Sequence, residues 1–175
     1  MRPSRIVLLL TAFSLLVGFR NALDGTYQGV GTEAPDTRLV DLEGAPVALS
    51  EAVSGWTLLK FGTTWCPRCD DQIRELNRLA GFLHRRHIQV VEVYLRESEE
   101  AVRAEQEQLS RTYAPRVLRD PGGDAILLFG LRIIPRLFLV DPGGVVRLDT
   151  RYAEAPELKR RIGEVLAPTA RRPGG

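Results

Sequence analysis

Leu58-Leu59-Lys60-Phe61-Gly62-Thr63-Thr64-Trp65-Cys66-Pro67-Arg68-Cys69-Asp70-Asp71 is the stretch on which the reading of this chain turns. Its apolar run, typical of a buried strand, ends at Gly62, and the only two cysteines of the protein follow at once. Beyond them Ile73, Leu76, Ala80 and Leu83 recur at spacings of three and four, which predicts a helix with one buried stripe. Pro67 suits the first helical position, because its missing N–H would have no partner there and its φ is already helical. Strand, tight turn and helix start therefore bring the Cys66 thiol to a helix N-terminus.

That placement predicts thiol chemistry. Unpaired N–H groups and the positive end of the helix dipole favour a thiolate over a thiol, and in C-x-x-C motifs the first cysteine titrates between about 3.5 and 7.5. Arg68 adds a nearby cation. Cys69, one turn further in, is placed to close a small disulfide ring with Cys66 and to resolve any mixed disulfide that Cys66 forms. A purely structural disulfide is a poor reading, since a ring over two residues removes little entropy from the unfolded chain. Zinc is the sharper rival, because Cys66, Cys69, His84 and His87 superficially resemble a two-cysteine, two-histidine set. The histidines are one residue too close together for that, however, and an intervening helix would carry His84 on the order of 20 Å from Cys69. No metal site is therefore expected, and the histidines are read as solvated residues at a helix end.

Outward from this centre, W-C-P-R-C after an apolar strand, I-P-R-L-F-L-V-D-P-G-G from Ile134 to Gly144, and G-T-E-A-P-D from Gly31 to Asp36 together resemble the thioredoxin-like thiol–disulfide oxidoreductases. The likeness is to their membrane-tethered, extracytoplasmic branch, the TlpA-like and ResA-like proteins. It runs from about Gly31 to Leu166. It implies an α/β thioredoxin fold, a mixed sheet flanked by helices, with an added N-terminal β-hairpin.

The resemblance also assigns roles. Cys66 is the nucleophile and Cys69 the resolving thiol. Pro135 is the proline that in this family is cis and faces the cysteine pair, leaving the Ile134 backbone to bind an extended substrate segment. Trp65, Pro67 and Arg68 belong to the same substrate surface. Glu97 stands where ResA-like proteins carry a glutamate near the cysteines, thought to help with proton transfer; a solvated residue at a helix start is the competing reading, since Glu99 and Glu100 follow. Lys60 is a departure. Thioredoxin has a buried carboxylate at the matching strand position, so Lys60 either snorkels to the rim or adds positive potential near the thiols.

Two alternatives use the same fold. Thr63 lies three residues before Cys66 as in peroxiredoxins, but Leu59 stands where those enzymes place a proline. Two thiolates would suit a copper-binding metallochaperone, but copper-delivery proteins of this fold space the cysteines by three and add a distant histidine, and none exists beyond His87.

The remaining sequence supports one domain. Apolar residues make up 44% and charged residues 26%, the proportions of an ordinary globular protein. Residues 1–20 hold three arginines and no acid, and the remainder carries 21 basic and 22 acidic groups, so nothing points to nucleic acid. Arg2 and Arg5 precede an apolar run from Ile6 to Phe19, the pattern of an export signal. The run is short for a membrane span, and no clear cleavage site follows it, so a cleaved signal and an uncleaved anchor both stay open. Residues 21–30 read as a linker, 31–167 as the thioredoxin-like domain and 168–175 as a disordered tail.

Within the domain the expected elements are a hairpin of Thr37–Leu42 with Val47–Leu49, and a strand Ile88–Leu95. A helix capped by Ser98 follows, with Val102, Leu109 and Tyr113 on one side. Then come a strand Arg116–Leu118, a short helix Gly123–Phe129, a hairpin of Arg136–Val140 with Val145–Leu148, and a helix from Pro156. The function so implied is an exported thiol–disulfide oxidoreductase, monomeric and free of cofactors. It would reduce disulfides in extracytoplasmic proteins, for example during cytochrome c maturation, and draw electrons from a membrane thiol-redox donor.

Overall fold

The structure, a computed structural model, describes residues 26–167. The expected signal, the tail and the first half of the expected linker lie outside those residues. In chain order the elements are β1 (Arg38–Val40), β2 (Pro46–Ala48), α1 (Leu49–Ala52), β3 (Trp56–Gly62), α2 (Pro67–Arg85), β4 (Ile88–Leu95), α3 (Glu99–Gln108), β5 (Arg116–Asp120), α4 (Asp124–Leu128), β6 (Arg136–Val140), β7 (Val146–Arg151) and α5 (Ala155–Leu166). One mixed sheet runs β2-β1-β5-β4-β3-β6-β7. β3 lies beside parallel β4 and antiparallel β6, and β1 and β2 form the added hairpin at one edge. This is the thioredoxin-like arrangement the motifs implied.

β3 is interior to the sheet and buried from Thr57 to Gly62, which explains its near-continuous apolar run. Successive side chains alternate between faces. Leu59 and Phe61 join Val91, Val93, Phe129 and Phe138 in one core layer. Leu58 faces the other way and packs with Leu76, Leu83, Val90, Leu158 and Ile162 beneath α2 and α5. Lys60 falls on the Leu58 side by the same alternation.

Several local expectations change. Leu49 does not extend a strand but opens α1. On α2 the buried stripe uses Leu79 where Ala80 was expected, and adds two polar residues, Gln72 and Glu75. Both are explained by α5. Gln72 donates to the Ala153 carbonyl at 3.1 Å and accepts from the Ala153 N–H at 2.9 Å, while Glu75 accepts from the Ala155 N–H at 2.8 Å. Glu75 thus satisfies the first N–H of α5, and Gln72 fixes the backbone just before it. α3 is capped by Ser98 as expected, its hydroxyl accepting from Ala101 N–H at 3.1 Å. It ends at Gln108, so Tyr113 lies in the following loop and the buried residues of α3 are Val102 and Glu105. Tyr27, within the stretch read as linker, docks on the domain with its ring 5.1 Å from that of Phe138 and its hydroxyl 3.0 Å from Asp149.

Candidate active site

Cys66 is the N-cap of α2 and Pro67 its first residue. The Cys66 Sγ accepts the Cys69 N–H at 3.2 Å, a donor shared with the Cys66 carbonyl at 2.8 Å, so the first turn already directs an N–H at the sulfur. Both cysteines are free thiols. Cys66 is 7% exposed and Cys69 fully buried, an asymmetry that leaves only Cys66 open to a substrate disulfide. α2 runs unbroken to Arg85, so His84 and His87 lie at its opposite end, exposed, and the four-ligand zinc reading fails on geometry.

Burial, then the hydrogen bond with Cys66, pushes the Cys69 thiol up to about 12, against smaller lowering effects of the Thr63 backbone and of Lys60. The folded state therefore holds this proton more tightly than the unfolded chain, whose thiol titrates at about 8.5. The stability associated with it is complete below that value and is lost as pH rises toward 12. Reduced protein is expected to lose stability progressively over that alkaline interval, measurable by denaturant unfolding, and a Cys69→Ala variant, which keeps every other group, to lose less.

The other expected site residues are distributed around this pair. The Ile134–Pro135 peptide bond is cis, and Pro135 is buried. Ile134, Trp65, Leu95, Ile126 and Leu131 line an apolar groove of about 300 Å³ that also takes in Thr63, Arg96 and Arg132. Trp65 is 73% exposed, an outlay of apolar surface characteristic of a docking face. Arg96 and Arg132 are exposed, and neither has a salt-bridge partner among the described residues. Arg68 turns outward, 4.5 Å above the Tyr152 ring and 3.9 Å from Asp71. The Glu97 carboxylate accepts from the Thr64 N–H at 2.9 Å and the Thr64 hydroxyl at 3.1 Å, which fixes the loop two residues before Cys66. Glu97 is therefore not simply solvated; it touches the active-site loop, and does so through Thr64.

Lys60 does not snorkel. It is 1% exposed, and its Nζ lies 3.7 Å from Glu92 and 5.5 Å from the centre of the Tyr94 ring. Lys60 and Glu92 are register partners in the parallel β3–β4 pair. Behind them lies a buried polar cluster not foreseen in the sequence. Glu92 accepts from Arg111 Nε at 2.9 Å and from the Tyr113 hydroxyl. Arg111 also donates to Glu105 and, at 2.6 Å, to the Tyr94 hydroxyl. Burial alone would push the Glu92 carboxyl up, but Lys60, then Arg111, and the Tyr113 hydroxyl together hold it below the usual carboxylate range. Burial raises Tyr94 and Tyr113, which stay neutral. The one available signal was alternation, which puts Glu92 and Tyr94 on one face of β4; that Lys60 shares it is set by the β3–β4 register, and Glu105 and Arg111 come from a helix and a loop far along the chain.

The model of the AhpC/TSA family matches residues 30–148. The chain belongs to the AhpC/TSA family. Among curated relatives, this AhpC/TSA chain is 28% identical over 160 residues to the thiol-disulfide oxidoreductase ResA of Bacillus cereus (strain ATCC 10987 / NRS 248), covering 86% of the chain and 88% of ResA. It is 26% identical over 147 residues to ResA of Geobacillus thermodenitrificans (strain NG80-2), covering 84% and 83%. Its fold matches a thiol:disulfide interchange protein DsbE from Chlorobium tepidum with a TM-score of 0.68 and 26% identity, over 79% of this chain and 99% of that one. The activity of this AhpC/TSA chain is that of a protein thiol–disulfide oxidoreductase.

Proposed function

We propose that this protein is an exported reductant of disulfides in extracytoplasmic proteins, with apocytochrome c among the candidate substrates and a membrane thiol-redox protein as electron donor. The observation that carries the reading is the division of labour between the sulfurs: Cys66 at the helix cap and marginally exposed, Cys69 one turn behind it and closed off. Cys66 attacks the substrate disulfide and Cys69 releases the product. The groove beside cis-Pro135 receives an extended segment, with the Ile134 backbone, Trp65, Pro67 and Arg68 as its contacts, and Glu97 acts on the site through Thr64. Residues 1–20 serve as export signal or anchor for the domain at 31–167. Among the described residues no helix is long and apolar enough to cross a membrane.

The surroundings of Cys66 support the reducing direction. Pro67 has no N–H to offer, the dipeptide contains no histidine, and the Cys66 sulfur is held by one N–H donor, that of Cys69. Strongly oxidising pairs, near about −120 mV, depend on a reduced form stabilised much further than this. The expected potential lies below about −200 mV. Equilibration with glutathione followed by thiol alkylation measures it, and a value near −120 mV would assign the protein to the oxidising side. A reporter active only outside the cytoplasm, fused after Asn21, tests export; activity confined to the cytoplasm removes that part of the proposal.

A further inference from the structure

Cys69 poses a problem that the helix N-terminus does not solve. It must become a thiolate to resolve the mixed disulfide, yet it is fully buried, and its place a turn inside the helix puts it behind the cap that serves Cys66. A buried anion needs a cation close by. The structure supplies one on the neighbouring strand. A Cβ placed on Gly62 would lie 3.0 Å from the Cys69 Sγ and 3.8 Å from the Lys60 Nζ. The sulfur and the ammonium thus flank the same point of β3, and because residue 62 is glycine no side chain stands between them.

We propose that Lys60 is the cation that stabilises the Cys69 thiolate during resolution of the mixed disulfide, with Glu92 as the positioning residue that holds the ammonium in place. The proposal rests on Cys66 attacking first and Cys69 resolving. Its sign is opposite to that of the buried carboxylate that thioredoxin itself carries at the matching strand position. Lys60 is interior and its partner is fixed on the strand beside it, Nζ to carboxylate 3.7 Å. Glu92 is itself immobilised by Arg111 and Tyr113. In the resting dithiol the four charges of the cluster, Lys60, Arg111, Glu92 and Glu105, sum to zero, so the arrangement is stable without the thiolate. When Cys69 ionises, the nearest member of the cluster is the positive one.

Cys69 gives up its proton and its sulfur attacks the Cys66 sulfur. The Cys66–Cys69 bond forms as the bond from Cys66 to the substrate sulfur breaks. That sulfur leaves with the electron pair and takes up a proton. Two electrons have then passed from the two protein thiols to the substrate disulfide, which ends as two thiols.

Cys69 faces Cys66 on its own helix, with Asp70 next along it, and Lys60 on β3. Lys60 faces Glu92 and Tyr94 on β4, and beyond Glu92 stand Arg111, Tyr113 and, on α3, Glu105.

Reaction of the reduced protein with 5,5′-dithiobis(2-nitrobenzoate) separates the two events, since Cys66 releases one thionitrobenzoate on attack and Cys69 releases the second on resolution. In Lys60→Met the second phase should slow by about tenfold or more at neutral pH, and its midpoint should move up by about one pH unit or more. The first phase should stay within about twofold. A double variant, Lys60→Met with Glu92→Gln, removes the cation without leaving an unpaired carboxylate, should fold if the single variant does not, and should show the same selective loss. In a Cys66→Ser background, Lys60→Met should raise the pH at which Cys69 is alkylated. A second phase with unchanged rate and pH profile overturns the proposal, as does a parallel loss of both phases, which would make Lys60 a structural residue only. Absence of a second phase in the unsubstituted protein would instead overturn the division of roles between the cysteines.

Discussion

Cys69→Ser protein is expected to accumulate covalent adducts with its substrates, released by dithiothreitol, whereas Cys66→Ser protein loses turnover of insulin or a dithiol probe to the uncatalysed background. The two outcomes differ because the thiols differ in access. Cys66 caps α2 and reaches the surface, so it alone meets the incoming disulfide; Cys69 is closed off beneath it. Once the mixed disulfide has formed, its natural fate is attack by the sulfur one turn away, and a serine hydroxyl cannot make that attack. The adduct then persists and can be isolated from an extracytoplasmic extract and its partner identified. Full activity in Cys66→Ser, or no adducts with Cys69→Ser, would remove the mechanism. Tight stoichiometric copper binding without disulfide exchange would favour the metallochaperone instead.

The largest expected stability effect lies at Glu92. Replacing it with alanine leaves Lys60, 1% exposed, without its counter-ion, and takes from Arg111 and Tyr113 the acceptor both of them use. Breaking a buried ion pair from one side costs about 3–5 kcal/mol, a large fraction of the 5–15 kcal/mol that holds a domain of this size folded. Denaturant unfolding should show a loss of that order for Glu92→Ala. Adding Lys60→Met removes the orphaned cation and should return part of the loss, giving a coupling of more than about 1 kcal/mol in the double-mutant cycle. Additive effects would mean that the two side chains, despite their 3.7 Å separation, do not sense each other. A loss below about 1 kcal/mol in Glu92→Ala would show that water or a moved neighbour replaces the carboxylate.

Much of the architecture was legible in the chain because it depends on local pattern. The bounds of β4 follow from its β-branched and aromatic residues, interrupted by Gln89 and Glu92, and those of β6 from the apolar run 137–140. The start of α2 follows from Cys66 and Pro67, and that of α3 from Ser98 followed by two acids. The Asp141-Pro142-Gly143-Gly144 turn follows from its residues, Asp141 accepting from the Gly143 and Val145 N–H groups and Gly144 taking a positive φ. Motif spacing likewise pointed to the cysteine pair and Pro135. The misreadings occurred where a long-range partner overrides pattern: Gln72 and Glu75 interrupt an apolar helix face because the first turn of α5 needs acceptors and donors from them.

By itself, then, the sequence determined the strand–turn–helix that carries the thiols, since strand periodicity, proline at a helix start and a two-residue cysteine spacing are properties of neighbours along the chain. Only the tertiary structure decided what surrounds them. That Lys60 lies inward, that Glu92 is its register partner, that Arg111 and Tyr113 close around the pair, and that Glu97 reaches the active-site loop through Thr64 all depend on how β3, β4 and α3 with its following loop are brought together. A charge isolated in sequence says only that it needs water or a partner; which of the two it finds is settled by packing.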